Sequence, residues 1–191
     1  PPQLALELAA PWVKVLTLED LLNRLERDSL PGTLGVRYLP ERQQTMNATV
    51  AWSYQLLGRD EQRAFRRVGI LRGLFPIDAA TAVLASDEDA GHGGVDVLRL
   101  VGALIDKSLL QRSERSVATS RPLYLMLDTM RAYATHELDA TRERDDALEG
   151  LVRYCVGEAS RAAVGLGPAQ VQWLDRVRED LESYRAVLTW L

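Results

Sequence analysis

Arginines are the side chains of this chain best suited to do chemistry. Arg63, Arg66, Arg67 and Arg72 form one cluster, and Arg112, Arg115 and Arg121 form a second. A guanidinium is a planar, permanently charged fork of donors that matches a phosphate or a carboxylate. Either cluster could hold a nucleic-acid backbone, and either could equally make salt bridges between domains. Lys14 and Lys107 are the only lysines, so positive charge is almost wholly arginine.

Other constellations fall short of a reaction. Gly91-His92-Gly93-Gly94 resembles a phosphate cradle, but it lacks a lysine and no buried strand precedes it. It reads as a flexible loop, since glycine permits unusual backbone angles. His92 and His136 lie far apart and Cys155 has no nearby partner, whereas zinc needs clustered ligands. Asp87-Glu88-Asp89 lacks the spacing of a calcium loop. Ser53 and Ser108 sit in no nucleophile-elbow context. The phosphate-binding pattern GxxxxGK[ST] does not occur, and no acidic residue follows an apolar strand in the manner of a Walker B. By itself the chain should neither bind ATP tightly nor hydrolyse it, and it is expected not to be an enzyme.

The bulk numbers bound the rest. The chain has 191 residues, 47% of them apolar, enough for one domain or two small ones with a real core. A formal charge of −4 does not advertise a polyanion-binding protein. Cys155 is the only cysteine, which rules out an internal disulfide and fits a reducing, cytoplasmic compartment. No apolar run approaches the roughly 20 residues of a membrane helix. The first residues lack a basic leader, so they do not read as a signal peptide. There is no initiator methionine, and the last residues are still periodic. Both ends read as cut, and a piece of a longer protein is expected.

The elements that must position the arginines centre on Val95–Arg112. Val97, Leu98, Val101, Leu104 and Ile105 recur at helical spacing. Leu109–Arg112 reads as a short strand, Ser113–Arg121 as a polar loop, Pro122–Met126 as a second strand, and Asp128 opens a helix. Helix, strand, loop, strand, helix is the back half of a winged helix. Upstream, Leu4–Val15 and the stretch from Leu18 to Arg27 read as helices, and Asp28–Pro40 as a linker. Thr45–Leu57, Asp60–Val68 and Asp78–Leu84 read as further helices, with a short apolar Ile70–Phe75 between the last two. Downstream, Thr129–Ala140, Asp145–Val164, Ala169–Arg178 and Asp180–Leu191 are helical. Trp173, Leu174, Val177, Leu181, Tyr184, Val187, Leu188 and Trp190 are expected as anchors. Antiparallel helix pairs of this kind open an α-solenoid, although no clean repeat of about 34 residues is present.

With those residues in view, the chain resembles the middle of a bacterial STAND regulator. These are large NB-ARC-type signal-transducing ATPases that carry SARP or LuxR-type DNA-binding domains. Leu4–Leu25 (LALELAAPWVKVLTLEDLLNRL) resembles the helical segment after the nucleotide-binding core. Leu39–Leu71, Leu100–Leu110 (LVGALIDKSLL) and Leu123–Leu138 (LYLMLDTMRAYATHEL) resemble the family's winged helix. Trp173–Leu191 (WLDRVREDLESYRAVLTWL) resembles the start of its tetratricopeptide-like (TPR-like) array.

The resemblance implies a mainly α fold: a winged helix with a small β-hairpin wing, flanked by an N-terminal helical remnant and C-terminal TPR-like helices. The expected divisions are residues 1–29 for the end of the helical domain, 30–44 for a linker, 45–140 for the winged helix and 141–191 for the start of the solenoid. It also implies a relay role. The winged helix would pack on a nucleotide-binding core of the same parent chain and help to hold ADP, and exchange for ATP would release it and allow homo-oligomer assembly. DNA would be bound only through another domain, and no membrane is involved. No cofactor belongs to this chain itself; ADP or ATP belongs to the parent.

Two family positions can be carried over. A Gly-Leu-Pro-Leu phrase aligns with its proline on Gln3, with Pro2 one residue early. The family's Met-His-Asp motif, whose histidine senses the β-phosphate, aligns with Met126-Leu127-Asp128, and Leu127 cannot donate a hydrogen bond to phosphate. Arg63, Arg66, Arg67, Arg112 and Arg115 are the candidates for docking to DNA or a partner.

Two other functions compete. A DNA-reading winged helix would use Val95–Asp106 as its recognition helix, but Arg99 is its only basic residue and Asp96 and Asp106 flank it. A helical scaffold would bind a protein partner through Trp173–Leu191.

Overall fold

A row of apolar and small residues at helical spacing makes the first described helix, α1 (Glu41–Gln55). The computed structural model describes residues 41–85, 96–113, 121–164 and 170–190. Helix α1 begins ahead of the expected Thr45, and it is covered on more than one side. Thr49, Val50, Trp52, Ser53 and Tyr54 are all buried. The Tyr54 ring lies 5.7 Å from Phe65 and meets Tyr133 edge-on at 5.6 Å.

Helix α2 (Arg59–Val68) starts where the Glu61 carboxylate accepts the Gly58 N–H at 2.9 Å. That bond satisfies an orphan donor of the first turn. The helix stops at Gly69, where a Cβ would stand 2.6 Å from the Ala134 Cβ. The missing side chain therefore lets α2 cross close to a later helix.

The Gly-interrupted apolar stretch that follows forms a strand, β1 (Leu74–Pro76), which the sequence reading did not separate out. It pairs antiparallel with β3 (Leu123–Leu125), Leu74 opposite Leu125 and Pro76 opposite Leu123. On the other side of β3 lies β2 (Gln111–Ser113), so the order is β1-β3-β2. The expected two-stranded wing is thus a three-stranded sheet. Pro76 is tolerated because β1 is an edge strand.

Helix α3 (Ile77–Leu84) is short and alanine-rich, and α4 (Val97–Asp106) is capped by Asp96, whose carboxylate accepts the Arg99 N–H at 3.0 Å. Two expectations for this region need correction. Leu98, placed on the inner stripe of α4, is 69% exposed. The strand expected at Leu109 begins only at Gln111. Ser108 adopts a left-handed φ of 58°, and the Leu109 N–H donates back to the Leu104 carbonyl at 2.8 Å. That turn drives Leu109 and Leu110 into the core.

The chain then continues through α5 (Asp128–Thr141), α6 (Arg144–Val164), α7 (Gln170–Glu179) and α8 (Leu181–Trp190). The architecture is mainly helical with one small antiparallel sheet, a winged-helix-like arrangement. A hydrophobic cluster runs through the described residues. Phe65, Phe75, Leu104, Met126 and Met130 belong to it, and so do Leu148, Leu151, Tyr154 and Val187 from the C-terminal helices. Helix α6 lies against α3 so closely that a Cβ on Gly150 would stand 2.2 Å from the Ala82 carbonyl oxygen.

The helices expected before residue 28, most of the linker after them, and the loops holding Gly91-His92-Gly93-Gly94 and Arg115 lie outside the described residues.

Candidate interhelical joint

Two members of the first arginine cluster close onto the start of α6. Arg66 and Arg67 lie side by side near the end of α2. The Arg66 guanidinium pairs with Glu143 and donates to the Tyr54 hydroxyl at 2.7 Å. Arg67 is buried; its Nε donates to Glu143 at 3.1 Å and its Nη2 to Asp146 at 3.3 Å. Its Nη1 lies 3.4 Å from the carbonyl oxygens of both Val83 and Ala85, at the open end of α3. One guanidinium thus ties α2, α3 and α6 together.

Burial acts most strongly on the Glu143 carboxyl and would raise its pKa. The bonds from Arg66, Arg67 and Thr141 outweigh it and hold the group below its ordinary range. Arg63, on the same helix, is half-buried.

Arg121 makes a second joint. It precedes β3, at the foot of the wing. Its Nε donates to Glu179 at 2.8 Å, and its Nη2 lies 3.1 Å from Asp180. Asp180, at the corner between α7 and α8, is buried and also accepts the Tyr154 hydroxyl at 3.0 Å. Here burial wins, and the Asp180 carboxyl is pushed up against the pull of Arg121 and Tyr154.

From the end of α4 the Lys107 ammonium reaches across to α2 and contacts both Glu61 carboxylate oxygens at 2.6 Å.

The Met126-Leu127-Asp128 turn joins β3 to α5. Met126 is fully buried in the core. Leu127 is the N-cap, without a side-chain cap bond. Asp128 is the first helical residue; its side chain is 88% exposed and pairs with Arg131. A buried thioether, an apolar branch and a carboxylate present no donor to a phosphate. The side chains of this turn do not fit a nucleotide phosphate.

The surface that would read DNA is sparsely charged. On α4, Leu98 and Arg99 are exposed between Asp96 and Asp106, which are exposed too. On β2, Arg112 is exposed. Arg121 is turned to Glu179 and Asp180, and Arg115 lies outside the described residues.

Of the expected anchors in α7 and α8, Val187 is buried and Tyr184 half-buried. Leu174, Val177, Leu181, Leu188 and Trp190 are exposed. Leu174 and Leu188 are the most exposed of these, at 57% and 73%.

The acidic partners Glu143, Asp146, Glu179 and Asp180 were missed in sequence. The available signal was the runs Glu143-Arg144-Asp145-Asp146 and Glu179-Asp180, which place carboxylates at helix boundaries far from the arginines.

No protein-family model matches the chain. A Mycobacterium tuberculosis protein named "Putative HTH-type transcriptional regulator" is 30% identical over 187 residues, which is 98% of this chain and 20% of the relative. A Mycobacterium bovis protein of the same description matches equally. An "Uncharacterized protein" of Mycobacterium tuberculosis is 36% identical over 148 residues, 76% of this chain and 36% of the relative. The chain spans about a fifth of the length of the first of these relatives. No helix among the described residues is long and apolar enough to cross a membrane. The chain is a distant relative of one segment of proteins named as HTH-type transcriptional regulators.

Proposed function

We propose that the chain is a relay module of a larger, STAND-type, ATP-dependent transcriptional regulator. In this reading its winged helix packs on a nucleotide-binding core elsewhere in the parent and passes the ADP or ATP state to sensor helices beyond. The work is done by changing which surfaces pack together, and no bond is made or broken in this segment. The parent acts in the cytoplasm, assembles as a homo-oligomer on activation, and reaches DNA through another domain.

One observation carries the reading. Three of the arginines that could have faced phosphate are turned inward, onto carboxylates at the ends of the C-terminal helices. Arg66 and Arg67 meet Glu143, and Arg121 meets Glu179 and Asp180. Such pairs couple a winged helix to the helices behind it. The great length of the relatives is consistent with a parent that has room for a nucleotide-binding core.

The test is the size and behaviour of the native protein. An antibody against this segment should find a band several times larger, and peptides from it should cover a P-loop upstream. In that parent, exchanging ADP for ATP should change protease cleavage around residues 121–180. A parent without a P-loop, or cleavage indifferent to nucleotide, would remove the relay reading.

A DNA-reading winged helix remains the second reading, favoured by the exposed Arg99 and Arg112 and by the names of the relatives. It requires affinity for duplex DNA that falls steeply with salt. It also requires loss of that affinity in R112A. The relay reading expects neither from this segment.

A further inference from the structure

The two joints between the winged helix and the C-terminal helices are built differently. At the first, α6 packs on α3 through Gly150 at a distance no other residue would allow, and Ala147, Leu148, Leu151 and Cys155 bury beside it. At the second, α8 buries only Ser183 and Val187. Leu174 on α7 is 57% exposed and Leu188 on α8 is 73% exposed. Among the described side chains of α7 and α8, Val187 is the one buried apolar residue, with Tyr184 and Ala186 half-buried against the core. What holds their corner is polar. Arg121 engages Glu179 and Asp180, and Tyr154 donates to Asp180.

We propose that α7 and α8 form a latched element, closed onto the foot of the wing by Arg121 and free to swing away when that clamp opens. A segment with few buried apolar contacts opens at low free energy while the core stays folded. A clamp made of charges can be opened by a competing charge, whereas the α3–α6 contact yields only by repacking. The moving part of the relay is then α7–α8, and α6 travels with the winged helix. This names the mobile part of the function proposed above and rests on that reading for its purpose, though the opening itself requires no nucleotide.

The chain carries its own reporter. Cys155, the only cysteine, is buried on α6, the helix against which α8 packs. Burial, with the charges of Asp180 and Glu158, pushes its thiol up to about 11. Swinging α8 away would both uncover the sulfur and restore its reactivity.

The experiment is the rate of Cys155 labelling by an aromatic disulfide at pH 8, in the full chain, as urea rises from zero. R121A removes one partner from a buried pair and should raise the rate about a hundredfold. D180N keeps the shape and should raise it by a smaller factor, and R185A, which breaks only the surface pair with Glu182, should leave it unchanged. In the wild type, 1 M NaCl should speed labelling severalfold, which requires no variant to fold. Below the unfolding transition the rates should be nearly flat in urea, the mark of a local opening. Labelling in R121A within twofold of wild type would overturn the latch. So would rates that climb from zero urea with the slope of global unfolding. Either result leaves the nucleotide test of the relay standing. A labile latch in a parent without a P-loop would remove the relay alone.

Discussion

Replacing Gly150 with alanine should unseat α6 from α3. In a helix interior this change normally stabilises by about 1 kcal/mol, because alanine has less backbone freedom to lose. Here the new Cβ would stand 2.2 Å from the Ala82 carbonyl oxygen and 3.2 Å from the Val83 Cα. Neither atom belongs to a flexible side chain, so the helices must part by roughly 1 Å to reach ordinary contact, and a gap of that size forfeits a quarter to a half of each dispersion contact along the joint. Overpacking of this kind typically costs about 1–3 kcal/mol, and a clash with backbone belongs at the upper end. The net expectation for G150A is a loss of about 2 kcal/mol.

Gly102 in α4 supplies the control, since a Cβ there meets nothing within 4 Å. G102A should gain about 1 kcal/mol. Urea denaturation followed by circular dichroism separates the two. With a slope of about 2 kcal/mol per molar, the midpoint should fall by about 1 M for G150A and rise by about 0.5 M for G102A. A G150A midpoint equal to or above that of the wild type would refute the tight α3–α6 joint, and with it the argument that α6 moves with the winged helix.

Three more measurements bear on the joint. R67M removes a buried guanidinium from Glu143, Asp146 and two carbonyl oxygens, and should lower stability by about 3 kcal/mol in the same denaturation assay. E143Q should flatten the acid limb of stability against pH. The folded chain holds that carboxyl below the ordinary 4.5, so its stabilisation is present above that pH and lost as the pH falls through the folded value. The wild type should therefore lose its advantage over E143Q between about pH 5 and pH 3, and parallel curves would sink the pairing. R142G should gain about 0.5–1 kcal/mol, because Arg142 sits at a left-handed φ of 59° just past α5, a conformation that favours glycine. An unchanged or lower melting temperature in R142G would mean that its side chain contributes more than the strain removes.

Much of this fold is legible in local pattern, and what is not has a physical cause. The long periodic helices α5 and α6 fall within a residue or two of where apolar spacing puts them. Strand β1 does not, because three residues containing a proline after a glycine give no alternation to read; pairing with β3 makes it a strand. The inner stripe of α4 misplaces Leu98 since a helix of ten residues covers only part of its circumference with neighbours. The anchors of α7 and α8 read as buried because periodicity reports amphipathicity, not the presence of a partner for the apolar face.

The arginines show the deeper limit. Cluster spacing on α2 is equally suited to phosphate and to carboxylate, and the residues that decide between them lie about 77 positions downstream. No local rule links Arg66 to Glu143; only the turn at Arg142, which brings the start of α6 back beside α2, does so. The same turn explains why the first joint is rigid. It fixes Glu143 immediately before α6, so the salt bridges and the Gly150 contact act on one helix and cannot loosen independently. Asp180 has no such neighbour. It sits at a corner between two short, half-covered helices, and its partners Arg121 and Tyr154 come from separate elements. A charge arriving near the foot of the wing could disengage it without disturbing the packing of α6 on α3. Stiffness at α6 and freedom at the α7–α8 corner follow from the same sequence, one from a glycine that permits close packing and the other from a buried aspartate held by charged and polar partners on separate elements.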